Sequence, residues 1–246
     1  MSPSPRVSGE GAVGIVQRMK IETLDHVALW VSDRDTLADF LTAHVGMRVI
    51  ERTDKFTLVG SDARRGKLTL FEAEGEREPG SLLRVGLRVS SLKRALTQLP
   101  RKLEVERHAP GEVSFTAPER LGLGLVEADG DLVEYDIDHV AFLVRDAAAA
   151  REELLGLGFS AANGRLRAGD SFVELVEGEV GEPVRPLLNH LGLRVESAAD
   201  HISEARSRGL EIADIVDAPN TYAVFVWGPE RIKLEYVEHK ASFSLV

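Results

Sequence analysis

The sequence predicts an α+β fold, with four β-α-β-β-β units paired into two incompletely closed barrel lobes. Three observations carry that prediction. Four ten-residue segments align without gaps: LDHVALWVSD from Leu24, LLRVGLRVSS from Leu82, IDHVAFLVRD from Ile137 and LNHLGLRVES from Leu188. Four later segments recur as well, aligned on Glu72, Glu127, Glu177 and Glu238: KLTLFEAEG from Lys67, LGLGLVEAD from Leu121, SFVELVEGE from Ser171 and IKLEYVEHK from Ile232. A unit of this size cannot bury both faces of its own sheet, so the units are expected to pair.

The elements follow in order. Each opening segment alternates as a strand does, with Val27, Leu29 and Val31 on one face and His26, Ala28 and Trp30 on the other. Helices come next, each started by a polar cap: Asp33–Val45, Ser91–Leu99, Asp146–Leu157 and Ser197–Arg208. Gly46, Pro100, Gly158 and Gly209 mark their ends. Two short β-prone runs, such as Met47–Glu51 and Lys55–Gly60, lead into each closing strand. Residues 1–20, rich in Ser, Pro and Gly, read as a disordered leader, with Met19 as the expected true start. Pairing neighbouring units gives lobes of residues 21–128 and 134–240, joined through Ala128–Tyr135.

Composition narrows the function. The 246 residues carry a formal charge of −10 and no cysteine. Disulfides, thiolate nucleophiles, zinc ribbons and iron–sulfur clusters are therefore excluded, and any metal falls to nitrogen and oxygen donors. The acidic balance offers no basic stripe for nucleic acid. No apolar run is long enough to span a bilayer and the N-terminus lacks a secretory pattern, so a cytoplasmic protein acting on a small molecule is expected.

Comparing the repeats separates structure from chemistry. Glu72, Glu127, Glu177 and Glu238 recur in every unit and read as structural or solvated. Two other positions differ between units: His26, Arg84, His139 and His190 in the opening strands, and Thr69, Gly124, Glu174 and Glu235 in the closing ones. Within residues 134–240 these become His139, Glu174, His190 and Glu235, a set of nitrogen and oxygen donors on the face opposite the apolar one. They are expected to hold one divalent metal there, leaving lobe 21–128 metal-free. Arg194, on the same strand face as His190, is a candidate holder of an anionic substrate group.

On these residues the chain, over about 21–240, resembles the vicinal oxygen chelate superfamily of glyoxalase I, methylmalonyl-CoA epimerase, bleomycin-resistance proteins and extradiol dioxygenases. The four units, IDHVAFLV, LNHLGLRV and the closing IKLEYVE carry the resemblance. A type I extradiol dioxygenase implies Fe(II) held by His139, His190 and Glu235. Its usual His and Tyr fall at Val216–Ala218 and Phe225; Pro229 is kept, Arg231 replaces a Gly, and a further acid–base His falls near Ser171 or Phe172. A glyoxalase I or epimerase implies all four donors, Zn, Ni, Co or Mn, and Glu174 or Glu235 as the proton-moving base. The four-unit, one-site architecture makes the dioxygenase the leading expectation, the isomerase or lyase the second, and a non-catalytic binding or resistance protein the third. Paired-unit proteins of this kind often form homodimers.

Overall fold

The structure, a computed structural model, describes residues 19–130 and 133–243. The expected leader over 1–20 lies outside the described residues except at its end, where Met19 is already buried in the core. The first unit contains β1 (Thr23–Val31), α1 (Arg34–Phe40, continued by a wider turn to Val45), β2 (Arg48–Arg52), β3 (Phe56–Asp62) and β4 (Arg65–Glu72). The second contains β5 (Leu82–Val89), α2 (Leu92–Gln98), β6 (Glu106–Ala109), β7 (Glu112–Thr116) and β8 (Gly122–Glu127). The third contains β9 (Ile137–Val144), α3 (Ala147–Gly156), β10 (Ser160–Ala162), β11 (Arg165–Ala168) and β12 (Ser171–Glu177). The fourth contains β13 (Leu188–Arg194), α4 (Ala198–Ser207), β14 (Ile212–Asp217), β15 (Thr221–Trp227) and β16 (Lys233–His239). Among the described residues, no helix is long and apolar enough to cross a membrane.

Local chemistry sets the helix starts. Asp33, Ser91, Asp146 and Ser197 each accept a hydrogen bond from the amide three residues on. The recurring glutamates are structural as expected: Glu127, Glu177 and Glu238 accept from the first amides of α2, α3 and α4. In the first unit, Glu72 pairs with Arg34 instead. Val27, Leu29 and Val31 are fully buried, and the apolar faces of all four units join one continuous core.

The pairing of units differs from the expected lobes. One eight-stranded sheet runs β14-β15-β16-β13-β1-β4-β3-β2, and the other runs β10-β11-β12-β9-β5-β8-β7-β6. The first unit therefore shares a sheet with the fourth, and the second with the third. The physical cause lies in the connections. The Pro- and Gly-bearing links 73–81 and 178–187 run alongside each other, with the Glu78 amide donating to Arg185 O and the Leu187 amide to Glu78 O. They carry the chain from one sheet to the other. The proline-free link 128–136 stays within a sheet.

Two Pro-Glu-Arg turns tie the sheets together. Glu119 reaches the Ser32 and Asp33 amides at the start of α1, and Glu230 reaches the Arg145 amide ahead of α3. In both turns the Glu and the Arg adopt left-handed backbone, at φ of 62° and 59° for Glu119 and Arg120.

Candidate metal centre

Each sheet is concave on the face opposite the core, and its centre is an antiparallel strand pair. In the first sheet β1 and β13 set His26 opposite Gly192 and Ala28 opposite His190. Side chains opposite each other share a face, so both imidazoles enter one cup. Parallel pairing of β13 with β16 brings Glu235 beside Gly192, and pairing of β1 with β4 brings Thr69 beside Ala28. His26 Nε2 lies 2.9 Å from His190 Nε2, and Glu235 Oε2 lies 3.1 Å from each. Glu235 Oε2 is buried and has hydrogen-bond geometry to neither ring.

The strands shift register at Asp25 and again opposite Asn189, just before each histidine. A bulge of this kind turns consecutive side chains toward the same side. Asp25 Oδ2 thereby receives His26 Nδ1 at 2.8 Å, and Asn189 Oδ1 receives His190 Nδ1 at 3.0 Å. Asp25 is itself fixed by the Lys67 ammonium at 2.9 Å and by His239 at 3.3 Å. With both Nδ1 atoms engaged, both Nε2 atoms point inward, the orientation a metal-binding histidine needs.

The electrostatics agree. Burial alone would raise the Glu235 carboxyl, but His190 and His26 beside it hold it well below the usual carboxylate range. Burial lowers the His190 imidazole, with Glu235 pulling the other way. Burial would lower His26 too, yet its hydrogen bond to Asp25 and the negative charges of Asp25 and Glu235 beside it carry it from 6.5 to about 9. Without a cation the cluster thus retains one proton. Three electron-rich atoms converge on one point, and their spacing fits an ion: donors about 2.1 Å from a metal and at right angles are about 3.0 Å apart. His26, His190 and Glu235 could hold a divalent cation on one side, leaving the other open.

The family model described as the Glyoxalase/Bleomycin resistance protein/Dioxygenase superfamily matches residues 23–236. The chain belongs to this superfamily. Among solved structures, a candidate dioxygenase from Bacillus subtilis superposes with a TM-score of 0.74 at 16% identity, over 91% of this chain and 87% of that one. Glyoxalase I from Zea mays superposes at 0.68 and 14% identity, over 88% and 92% of the two chains. The cppA protein of Streptococcus pneumoniae TIGR4 superposes at 0.61 and 11%, over 89% and 99%. Such identities speak for the fold. No curated protein matches the chain in sequence. The superfamily includes metal-dependent glyoxalases and dioxygenases, so the expected resemblance is borne out at that level.

Within this superfamily fold, the four expected donors are divided. His190 and Glu235 meet His26, which the expected lobes had put in the metal-free half. His139 and Glu174 lie in the other sheet. There β5 and β9 set His139 opposite Gly86 and Arg84 opposite Ala141. Arg84 Nε donates to His139 Nε2 at 3.0 Å and its Nη2 to Glu174 at 3.0 Å, so the guanidinium takes the central place. Arg165 pairs with Glu174 at 2.8 Å, and Asp138 receives His139 Nδ1 at 2.9 Å. Burial would raise the Asp138 carboxyl, but His139, Arg88 and Arg165 hold it down to about 2. This second cup carries its own cation.

The remaining candidates fall as follows. Arg194 lies at the His26 end of the first cup and pairs with Glu22 at 2.9 Å. Phe225 stands opposite Glu235, with its ring edge-on to His190 at 5.1 Å. Tyr222, an odd number of residues from Phe225, points away from the cup into the core. The Ser171 hydroxyl donates to Ile137 O, and Phe172 lies under the Arg165 guanidinium, both in the second sheet. His201 is buried and stacked on Tyr236. Sequence reasoning missed His26 as a partner of His190. It also missed Asp25 and Asn189, whose signal was available: an Asp or Asn precedes all three histidines of the opening strands.

Proposed function

We propose that the first cup binds one divalent cation through His26, His190 and Glu235 and serves dioxygenase-type chemistry on a small molecule. The observation that carries this reading is the donor set itself: two imidazoles and one carboxylate about 3 Å apart, with the fourth equivalent position held by Thr69. A neutral hydroxyl there leaves room for substrate oxygens and a gas molecule. It also removes the second glutamate that a four-donor isomerase needs, because Glu174 stands in the other cup against Arg84.

When bound, the ion would act as a Lewis acid and as the meeting point of substrate and oxygen. The chain does the rest. Asp25 and Asn189 orient the imidazoles, and Lys67 fixes Asp25. Phe225 and Phe71, at 5.1 and 6.5 Å from His190, wall the cup and exclude water.

Metal analysis after anaerobic loading with Fe(II), combined with oxygen uptake on a catechol panel, tests the reading. His26→Ala, His190→Ala and Glu235→Ala should each abolish stoichiometric binding, whereas His139→Ala and Glu174→Ala should retain it. Metal lost on changing His139 or Glu174 but kept on changing His26 would overturn the site. Inertness of the iron-loaded protein toward oxygen and every catechol would overturn the reaction.

A further inference from the structure

We propose that Lys233 is the anchor for an anionic group on an aromatic substrate, so that the first cup selects aromatic carboxylates over their neutral counterparts. This deepens the proposed function and rests on the cup being its substrate site. A cavity of about 580 Å³ opens at the His190 end of the cup, lined in part by Trp30, Leu188, Asn189, Trp227, Arg231 and Lys233. Trp30 shares a strand face with His26, and Lys233 shares one with Glu235. Through Trp30, Asn189 and Lys233 the cavity adjoins the triad's cup, while His26, His190 and Glu235 themselves lie outside its lining.

The cations around it are unequal. Arg145 is engaged by Glu230 and Glu182. Arg231 is engaged by Glu211 at 2.8 Å while it covers the Trp227 ring. Lys67, on the same concave face, is committed to Asp25. Lys233 alone of these four has no carboxylate within ion-pair distance among the described residues. Its ammonium is held over the rings of Phe225 and Trp227, 5.6 and 5.8 Å from their centroids. Aromatic faces favour a cation there and restrict where it can go, so a charge is positioned without being neutralised.

The walls specify the rest of the ligand. Trp30 packs against Phe71 at 5.4 Å, Phe71 against Phe56 at 5.9 Å, and Phe225 closes the opposite side of His190. A flat ring fits such a slot better than a flexible chain, because offset and edge contacts are available on both sides. Residues two apart on a strand are separated by about 7 Å. Lys233 thus stands roughly one substituted benzene ring away from Glu235. A ring whose oxygens face the triad and whose carboxylate lies at the far end spans that distance.

The chain has only two tryptophans, and both line the cavity, so their fluorescence reports its occupancy. Metal-free protein titrated with benzoate and with benzamide should bind the carboxylate more tightly. Lys233→Met should weaken benzoate binding roughly 10- to 100-fold and leave benzamide unchanged, while Lys233→Arg should restore the preference. Equal affinity of the wild-type protein for the two probes, or an undiminished preference in Lys233→Met, would overturn the proposal. These titrations use no metal, so a failed metal site would leave their outcome standing, and their failure would leave the metal reading intact.

Discussion

Gly192 and Gly86 form a matched pair of probes, because each lies directly beneath a histidine. A Cβ at Gly192 would come within 2.3 Å of His26 Cε1 and 2.4 Å of its Nδ1. A Cβ at Gly86 would come within 2.3 and 2.5 Å of the same atoms of His139. Comfortable carbon contacts begin at about 3.5 Å, so each ring must retreat by roughly 1 Å. The His26 ring cannot retreat and stay in place, since Asp25 holds Nδ1 and is itself clamped by Lys67. A metal site tolerates about 0.2 Å in ligand position. Gly192→Ala should therefore weaken metal binding by at least 100-fold, more than loss of an outer hydrogen bond typically costs. Gly86→Ala should impose a comparable overpacking penalty, about 1–3 kcal/mol, while leaving metal content unchanged. Calorimetric metal titration of both variants, with thermal melts alongside, decides the matter. Equal metal affinity in the two variants, or loss confined to Gly86→Ala, would refute the assignment of His26 as a donor.

Other outcomes follow from the same geometry. A cation must displace the proton that His26 keeps up to about pH 9, so metal affinity should climb roughly tenfold per pH unit below that value and then level off; affinity flat between pH 7 and 9 would contradict this. The same raised group stabilises the metal-free fold fully below about pH 6.5, and that contribution fades as pH rises through about 9, which melts of metal-free protein would register. Arg84→His should give the second cup two imidazoles and Glu174 and raise metal stoichiometry from one to two, while Arg84→Ala should destabilise the fold by about 2 kcal/mol by leaving Glu174 and Glu112 facing each other. Arg120→Gly should stabilise the chain by up to about 1 kcal/mol, since Arg120 holds a left-handed backbone and only a distant, exposed partner; a lower melting temperature would speak against strain there.

The repeat pattern was legible because alternation, caps and small residues are local. Asp33, Ser91, Asp146 and Ser197 announce their helices within four residues. The choice of partners was not legible in the same way. The first and third units read His-x-Ala, whereas the second and fourth read Arg-x-Gly and His-x-Gly. A small residue therefore meets a ring whether the first unit joins the second or the fourth. What decides is the path of links 73–81 and 178–187, a long-range matter that periodicity does not encode. The positions of the donors could thus be read from sequence, but which donors share a cup could not. Lys233 was hidden for another reason: a lysine in a closing strand is unremarkable until its neighbours prove to be two rings and no carboxylate.

The alliance of first and last units also bears on how the protein is made. A ribosome delivers the second and third units together, and their sheet, with Arg84 as its own internal cation, is complete before β13 exists. Through that interval β1 waits with one edge unsatisfied, a backbone row open to wrong partners. Only arrival of the fourth unit covers it, and the same event brings His190 and Glu235 to His26. Closure of the cup and completion of the chain become one step, so a nascent or shortened polypeptide that lacks the fourth unit holds no triad.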